Sequence, residues 1–302
     1  MDMPRSYRGL TDGSGKKISV LHRCGPDKVR HAPFHHIVRE ELFDADLYRR
    51  LSESFPADEI FLDQLSVIRS NQAIRIAAAD VIGNRSFSPE WRDFFEYHTS
   101  EAFWRDIVNV FGDGIREVYP DIEAKAGRPI SDWRVKSRAA GSPAEVSLDL
   151  LFVINTPVTT PSSVRPAHVD RRNKIFSGLF YMKKDGDPTP GGDLALSRFK
   201  TGKRGFGGHY AEAEDIEQTD LIAYGSNKFV GFINSPESIH GVTPRPATDW
   251  TRRYINFVVE TPFEAFELPR LPVSRRIAGW VRRKKAKSPG VDVKLDVKGR
   301  RA

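Results

Sequence analysis

Two histidines and an aspartate lie beside apolar segments of the sequence, in a pattern that suits metal binding. His168 and Asp170 are one residue apart and precede the apolar run 174–182, and His240 follows the apolar segment 228–234. Alternate residues of a strand point to the same side, so His168 and Asp170 can face one metal ion. Two imidazoles and one carboxylate leave coordination positions open, as non-haem Fe(II) oxygenase chemistry requires. The alternative is a surface histidine beside an aspartate that caps a turn.

A pair of arginines, Arg252 and Arg253, opens a further apolar segment, YINFVVE. A guanidinium buried in such a strand needs an anionic partner, because burying an unpaired charge is costly. A carboxylate is a suitable partner, since it can accept two parallel hydrogen bonds from the guanidinium. The pair therefore indicates a site for a carboxylate ligand, and the far carboxylate of 2-oxoglutarate is one such group.

The elements that must position these residues are mostly strands. From about residue 133 onwards the sequence consists of short apolar segments separated by turn signals such as Asp185-Gly186 and Gly191-Gly192. Eight antiparallel strands favour a double-sheet jelly roll. The eight predicted strands are, in order, EVSLDLLFVIN, VRPAHVD, NKIFSGLFYM, GGDLALS, GGHYAEA, DLIAY, KFVGFIN and RRYINFVVE.

The first 125 residues are predicted to be largely helical, and the stretch 60–85 has no clear pattern. Capping residues and apolar spacing of three or four residues define three helices. The first follows Asp44 and ends at Pro56, the second follows Ser88 with Pro89 in first position, and the third follows Ser100 and ends at Gly112. The segment FHHIV (34–38) is predicted to be a short strand.

The sequence resembles the Fe(II)/2-oxoglutarate-dependent oxygenases, and within them the prolyl-4-hydroxylase-like branch. The resemblance covers about residues 145–262 and rests on the motifs HVD, SGLFYM, GGDLAL, IHGVTP and RRYINF, which follow one another in the order typical of that family. It implies a mainly β fold with helices, a double-stranded β-helix (jelly roll) with an N-terminal helical layer.

Several site residues follow from this resemblance by position. His168, Asp170 and His240 match the iron ligands, and they are also the candidate catalytic residues. The resemblance implies Fe(II), 2-oxoglutarate as cosubstrate and O2, and it leaves ascorbate open as an additional reductant. Halogenating members of the family lack the carboxylate ligand, so Asp170 indicates hydroxylation or a related oxidation.

The resemblance also implies the residues that bind the cosubstrate. The 2-oxoglutarate arginine of the family usually lies three residues before an apolar strand position, and Ile255 then makes it Arg252. Arg253 is the competing candidate, because a shift of one residue changes the face of the strand. Asn155 matches a position that often contacts the cosubstrate in relatives. Tyr181 is a candidate for the lining of the same pocket, and it is equally well explained as a core aromatic.

The function implied by the resemblance is a 2-oxoglutarate-dependent dioxygenase that releases succinate and CO2. The expected reaction is hydroxylation of an unactivated C–H bond in a saccharide or other biosynthetic small molecule, or in a protein side chain. No residue of the sequence decides among these substrates. The alternatives are a non-catalytic jelly-roll binding module and a protein that associates with nucleic acid or membrane through a basic tail.

Charge and motif positions divide the chain into a flexible N-terminal arm (1–30), a single catalytic domain with its N-terminal helices (31–269) and a basic tail (270–302). The tail carries twelve Lys or Arg and two Asp, whereas the other residues, with 35 basic and 38 acidic side chains, are slightly acidic. The net charge of +7 and the pI near 9.4 thus come from the tail, and nucleic acid is an unlikely partner of the domain.

The tail segment 275–287 contains seven Lys or Arg around Ile277, Trp280 and Val281. This composition predicts contact with an anionic membrane surface, while a solvated tail is the simpler alternative. The only cysteine is Cys24, no apolar run reaches the roughly 20 residues that span a bilayer, and the first residues lack the apolar core of a secretory signal. The expected location is therefore the cytoplasm, with peripheral membrane contact.

A second histidine pair, His35-His36, resembles a metal site only superficially. The pair begins the short segment FHHIV, and no carboxylate is close to it in the sequence. We therefore expect both histidines to be structural residues of the strand.

Overall fold

The computed structural model describes residues 18–63, 65–138, 141, 143–271 and 290–295. Two sheets form the domain. The larger sheet has eight strands in the order β1-β8-β5-β10-β4-β2-β11, with β3 paired to β4, and the smaller sheet has the order β7-β6-β9. The strands are β1 His36–Arg39, β2 Ala73–Ala77, β3 Val135–Ser137, β4 Val146–Asn155, β5 Lys174–Tyr181, β6 Leu194–Phe199, β7 Ile216–Ile222, β8 Lys228–Ile233, β9 Ile239–Val242, β10 Arg252–Glu260 and β11 Val291–Val293.

Helices precede most of these strands and cover one face of the larger sheet. They are α1 Ala45–Glu53, α2 Asp58–Leu62, α3 Ala78–Val81, α4 Pro89–His98, α5 Glu101–Val118 and α6 Ile122–Ala126, with short 3-10 turns at Pro26–Lys28, Ile130–Asp132 and Ala213–Asp215. No described helix is long and apolar enough to cross a membrane. The prediction of a mainly β jelly roll with an N-terminal helical layer is confirmed.

Aromatic side chains join the helical layer to the larger sheet. Trp91 of α4 lies 4.8 Å from Phe152 of β4 and Phe111 of α5 lies 5.2 Å from Phe176 of β5, measured between ring centroids. Rings in edge-on contact at such distances contribute beyond the area that they bury. These contacts hold one face of the larger sheet rigidly and leave the opposite face to the smaller sheet.

The predicted helix starts are correct, and one predicted end is wrong. The side chain of Asp44 accepts a hydrogen bond from the Leu47 amide at 2.9 Å, as an N-cap does, and Ser88 caps α4 in the same way. The helix expected to end at Gly112 continues to Val118. Gly112 is buried inside α5, and the helix continues through it.

Two of the eight predicted strands are also wrong. The segments around His168 and Tyr210 form isolated bridges, among them His168 to His240 and His168 to Tyr210, and no continuous strand. Four observed strands, β2, β3, β9 and β11, were not predicted. Of the remaining six predicted segments, four contain β4, β5, β8 and β10, and two overlap β6 and β7 in part.

Parts of the proposed N-terminal arm and of the basic tail pack on the domain. Val20 and Leu21 are buried in the main core, so the chain packs on the domain from there onwards. Residues 291–293 form β11, which pairs in parallel with β2. The membrane-contact segment 275–287 and the first 17 residues lie outside the described residues, and the predictions made for them remain predictions.

Candidate active site

Backbone pairing between a loop and β9 brings the two site histidines together. The His168 amide donates to the His240 carbonyl at 2.8 Å and the His240 amide donates to the His168 carbonyl at 2.9 Å. The two imidazole centroids are consequently 4.3 Å apart, and Nε2 of His168 lies 3.7 Å from Oδ1 of Asp170. All three side chains are buried, and one potential ligand atom from each lies within 4.8 Å of the other two.

Both imidazoles are held in the tautomer that a metal ion requires. Nδ1 of His168 donates to the Pro166 carbonyl at 2.9 Å, and Nδ1 of His240 donates to the Ser238 carbonyl at 2.8 Å. The lone pair is therefore on Nε2 of each ring, and Nε2 of His168 has no hydrogen-bond partner in the described part of the chain. Burial lowers the pKa of His168 to about 3 and that of His240 to about 4, so both rings are neutral at physiological pH.

Asp170 is held as a carboxylate by basic groups around it. Nζ of Lys174 and Oγ of Ser177 donate to Oδ2 at 3.0 and 2.7 Å, and Nη1 of Arg165 lies 3.4 Å from Oδ1. Burial alone would raise the pKa of Asp170, but the positive charges of Lys174 and Arg165 outweigh it and hold this pKa well below its usual range. Oδ1, on the side of His168, is the oxygen that remains available to a metal ion.

A β-bulge explains how Lys174 reaches this carboxylate. Along β5, Phe176 pairs with Val259 and Lys174 pairs with Glu260, so two residues of β5 lie opposite one step of β10. The extra residue is Ile175, which is fully buried in the main core. The bulge changes the face on which Lys174 lies, and its ammonium group points towards Asp170.

The side chain of Arg252 is enclosed by aromatic rings. Its guanidinium lies over three tyrosine rings, Tyr181, Tyr224 and Tyr254, at 5.1, 4.8 and 4.7 Å from their centroids. Nε donates to the Gly192 carbonyl at 2.9 Å and Nη1 donates to Oδ1 of Asn155 at 3.2 Å.

One donor of this guanidinium is unused. Nη2 of Arg252 is buried without a hydrogen-bond partner, and no carboxylate of the described residues lies within ion-pair distance. The hydroxyl of Tyr181 is likewise buried and unpaired, and burial raises its pKa. A buried cation with a free donor beside a free hydroxyl indicates a missing anionic ligand.

Arg253 lies on the opposite face of β10. Its Nε donates to the Met182 carbonyl at 2.6 Å, its Nη2 donates to Oγ of Ser52 at 2.7 Å, and its guanidinium covers the ring of Phe55. Of the two arginines that the sequence left open, the structure places Arg252 in the cavity wall and Arg253 against the helical layer.

A cavity of about 660 Å³ connects these groups. His168, Asp170, His240 and Arg252 line it. The lining also includes charged side chains, with Arg138 3.2 Å from Glu260 and 3.9 Å from Asp149. Asn155 and Tyr181 contact Arg252 from behind and do not belong to the cavity lining.

Sequence reasoning missed several residues of the site. Tyr254 was detectable, because it is two residues from Arg252 on one strand and therefore shares its face. Lys174 was not detectable, since only the bulge in β5 brings it to Asp170. Ser177 contacts Asp170 and Tyr224 contacts Arg252, and no local pattern indicates either contact.

Several solved structures are similar to the chain. A prolyl-4-hydroxylase from Pseudomonas putida is 16% identical with a TM-score of 0.25, over 38% of this chain and 52% of that one. A prolyl 4-hydroxylase structure from Phytophthora capsici is 15% identical with a TM-score of 0.40, over 82% of this chain and 66% of that one. The epimerase SnoN, in complex with Fe3+, alpha-ketoglutarate and nogalamycin RO, is 13% identical with a TM-score of 0.38, over 75% and 78%.

The chain therefore spans about half the length of the Pseudomonas putida protein and 66% of the Phytophthora capsici one. No family model and no curated protein matches the sequence.

Proposed function

We propose that this chain is an Fe(II)- and 2-oxoglutarate-dependent oxygenase. One observation carries the proposal: the cavity that holds two neutral imidazoles and a carboxylate also holds Arg252, a buried guanidinium with an unused donor. A metal site alone is compatible with many functions. An adjacent carboxylate site limits the choice to chemistry in which a metal ion and an organic acid act together.

The donor set fits Fe(II). His168 and His240 would bind through Nε2 and Asp170 through Oδ1, while Lys174 and Ser177 hold the second oxygen of this carboxylate. These contacts favour binding through one oxygen and leave coordination positions for the cosubstrate and dioxygen. The iron, when bound, supplies the activation of dioxygen.

The carboxylate of 2-oxoglutarate that is far from its keto group would bind at Arg252. Nη2 of Arg252 is the free donor for it, and the ring of Tyr181 packs against the guanidinium. Asn155 and Gly192 fix the guanidinium from behind. The three tyrosine rings exclude water from this contact, which strengthens a charge-assisted hydrogen bond.

The more specific part of the proposal is a hydroxylation that releases succinate and CO2. The substrate would be a saccharide or other biosynthetic small molecule, or a protein side chain. The charged side chains of the cavity lining, Arg138, Asp149 and Glu260, support a polar substrate.

The experiment is anaerobic. Purified protein receives Fe(II) and then 2-oxoglutarate, and the visible absorption of the iron–2-oxoglutarate chelate is recorded for wild type, Asp170→Ala and Arg252→Met. We expect the band in wild type, no band in Asp170→Ala, and a band in Arg252→Met only at much higher 2-oxoglutarate concentration. Absence of the band in wild type contradicts the proposal.

A second measurement tests turnover. Under air, the wild type should convert 2-oxoglutarate to succinate, and a hydroxylated product should contain one oxygen atom from labelled O2. If the chelate forms but a broad panel of sugars, small metabolites and peptides neither accelerates succinate release nor gains oxygen, the chain is a jelly-roll binding module instead.

A further inference from the structure

A second group of metal-ligating side chains lies outside the cavity. His31, His35 and Glu117 each offer one ligand atom, and the three atoms lie within 4.8 Å of one another. None of the three residues lines the cavity that contains His168 and His240. The expectation that His35 has no carboxylate neighbour is wrong, because Glu117 approaches it from the last turn of α5.

The imidazole of His35 is buried and points at Glu117. Its side chain is only 9% exposed, and its Nε2 lies 3.2 Å from Oε2 of Glu117. Nε2 nevertheless makes no hydrogen bond of acceptable geometry with any described residue. Two groups that are close without a proper hydrogen bond can share a third group as partner, and a metal ion accepts lone pairs from both.

Helix α5 contains a glycine where His35 approaches it. A Cβ atom at Gly114 would lie 2.9 Å from Cδ2 of His35 and 3.0 Å from Cδ1 of Ile233. A real Cβ atom would not fit there, so the glycine allows the ring to lie directly against the helix. Glycine inside a helix costs about 1 kcal/mol relative to alanine. Gly114 therefore weakens the helix, and what it provides in return is room for the ring of His35 against α5.

Glu117 lies where a helix disfavours an anion. It is the second-last residue of α5, beside the free carbonyl groups and the negative end of the helix dipole. No Lys or Arg in the described part of the chain lies within ion-pair distance of it. A cation bound at this point would compensate the carboxylate of Glu117 and the negative end of the helix dipole. The third group, His31, is exposed, and its ring meets that of His35 edge-on with centroids 4.8 Å apart.

We propose that His31, His35 and Glu117 form a second metal site, for a divalent transition metal of the Zn(II) or Co(II) type, separate from the cavity. Two imidazoles and a carboxylate, with water in the fourth position, suit these ions. Ligand bonds of about 2.1 Å place neighbouring ligand atoms about 3.4 Å apart. His35 and Glu117 already meet this distance at 3.2 Å, so the exposed side chain of His31 makes the adjustment. The bound ion joins the loop before β1 to the end of α5.

The test uses untagged, metal-free protein with His240→Ala, so that the outcome does not depend on iron binding in the cavity. Co(II) is titrated, and the visible absorption of four-coordinate Co(II) is recorded. We expect one equivalent to bind. Adding Glu117→Gln or His31→Ala should weaken binding by at least about 10-fold, since lost support of a metal ligand already costs 10–100-fold. Adding Asp113→Asn, which changes an exposed carboxylate on the same helix, should change nothing.

A second measurement covers the case in which a variant is impaired in folding. Zn(II) should raise the Tm of the His240→Ala parent and should not raise that of the parent with Glu117→Gln added, because only an intact site gains binding energy in the folded state. Equal Co(II) affinity in Glu117→Gln, His31→Ala and the parent overturns the proposal. So does the absence of four-coordinate Co(II) absorption in the parent.

Discussion

The two faces of β10 carry neighbouring arginines in opposite situations. On the helical side, Arg253 donates to the Met182 carbonyl and to Ser52, both of which are groups of the protein itself. On the cavity side, Arg252 is almost entirely buried, with Nη2 unpaired and no carboxylate partner among the described residues. Both residues are arginines in one strand with similar burial, so burial does not distinguish them.

What distinguishes the two arginines is whether the protein satisfies their donors. A buried cation whose hydrogen bonds are complete contributes to the fold, and removing it leaves unpaired acceptors. A buried cation with an unused donor is kept at a cost to stability, and a ligand is the usual reason. The following predictions test this difference, from the largest expected effect to the smallest.

Arg252→Met should weaken 2-oxoglutarate binding by about 100-fold, because a desolvated charge contact worth roughly 2–5 kcal/mol is lost. The free energy of unfolding should change little, since the loss of the donor to the Gly192 carbonyl and Asn155 is offset by the removal of a buried charge that has no anion in the free protein. Calorimetric titration of metal-loaded protein measures the first effect and urea unfolding the second. An unchanged affinity would mean that Arg252 does not bind the cosubstrate.

Arg253→Met should produce the reverse result. The Met182 carbonyl and Ser52 lose their donor, and the free energy of unfolding should fall by about 1–3 kcal/mol. The affinity for 2-oxoglutarate should stay within about twofold of wild type, because the side chain lies on the other face of the sheet. The same two measurements apply. A large loss of affinity without loss of stability would reverse the assignment of the two arginines.

Gly192→Ala should displace the side chain of Arg252. Gly192 has φ +76°, and an added Cβ atom would lie 3.0 Å from both Cδ and Nε of Arg252. We expect 2-oxoglutarate affinity to fall by about tenfold, together with a stability loss of about 1 kcal/mol from the positive φ. Gly186→Ala is the matched control, since Gly186 has φ +78° with nothing within 4 Å. If the two variants bind 2-oxoglutarate equally well, the position of the guanidinium does not depend on Gly192.

Asp149→Asn tests the charged side chains of the cavity lining, through the pH dependence of the free energy of unfolding. Burial raises the pKa of Asp149 to about 6, although the Ala78 amide and Arg138 oppose the shift and Glu260 adds to it. The folded state therefore holds the proton more tightly than the unfolded state, and stability is lost as pH rises from about 4 to about 6. Asp149→Asn should gain about 1 kcal/mol at about pH 7.5 and almost nothing at about pH 4.

Urea unfolding at the two pH values measures this difference. An equal effect of Asp149→Asn at both values would show that the carboxylate is not stabilised in its neutral form.

The sequence alone was enough to find those site residues whose position follows from the alternation of side chains along a strand. Ile255 identifies the core face of β10, and Arg253 shares its face while Arg252 does not, because side chains alternate. His168 and Asp170 were found although their segment is not a strand, since one backbone bridge to His240 is enough to bring the three together. That these residues bind iron and 2-oxoglutarate remains a prediction.

Local pattern failed wherever a distant partner decides the structure. Gly112 has the usual signature of a helix end, yet tertiary packing continues α5 through it. Ile175 gives no sign in the sequence of the bulge that turns Lys174 towards Asp170. Glu117 is more than 80 residues from His35 in sequence, so only the packing of α5 against the start of β1 reveals their contact.

Strand β11 has a consequence for how the end of the chain is handled in the laboratory. It covers the hydrogen-bonding edge of β2, and Asp292 and Val293 form part of the cavity wall. Shortening the protein at residue 270 would remove more than basic charge. It would expose the backbone donors and acceptors of β2, which can then pair with another molecule and lead to aggregation. Neutralising the Lys and Arg residues of 275–287 while keeping β11 separates the effect of charge from that of an uncovered sheet.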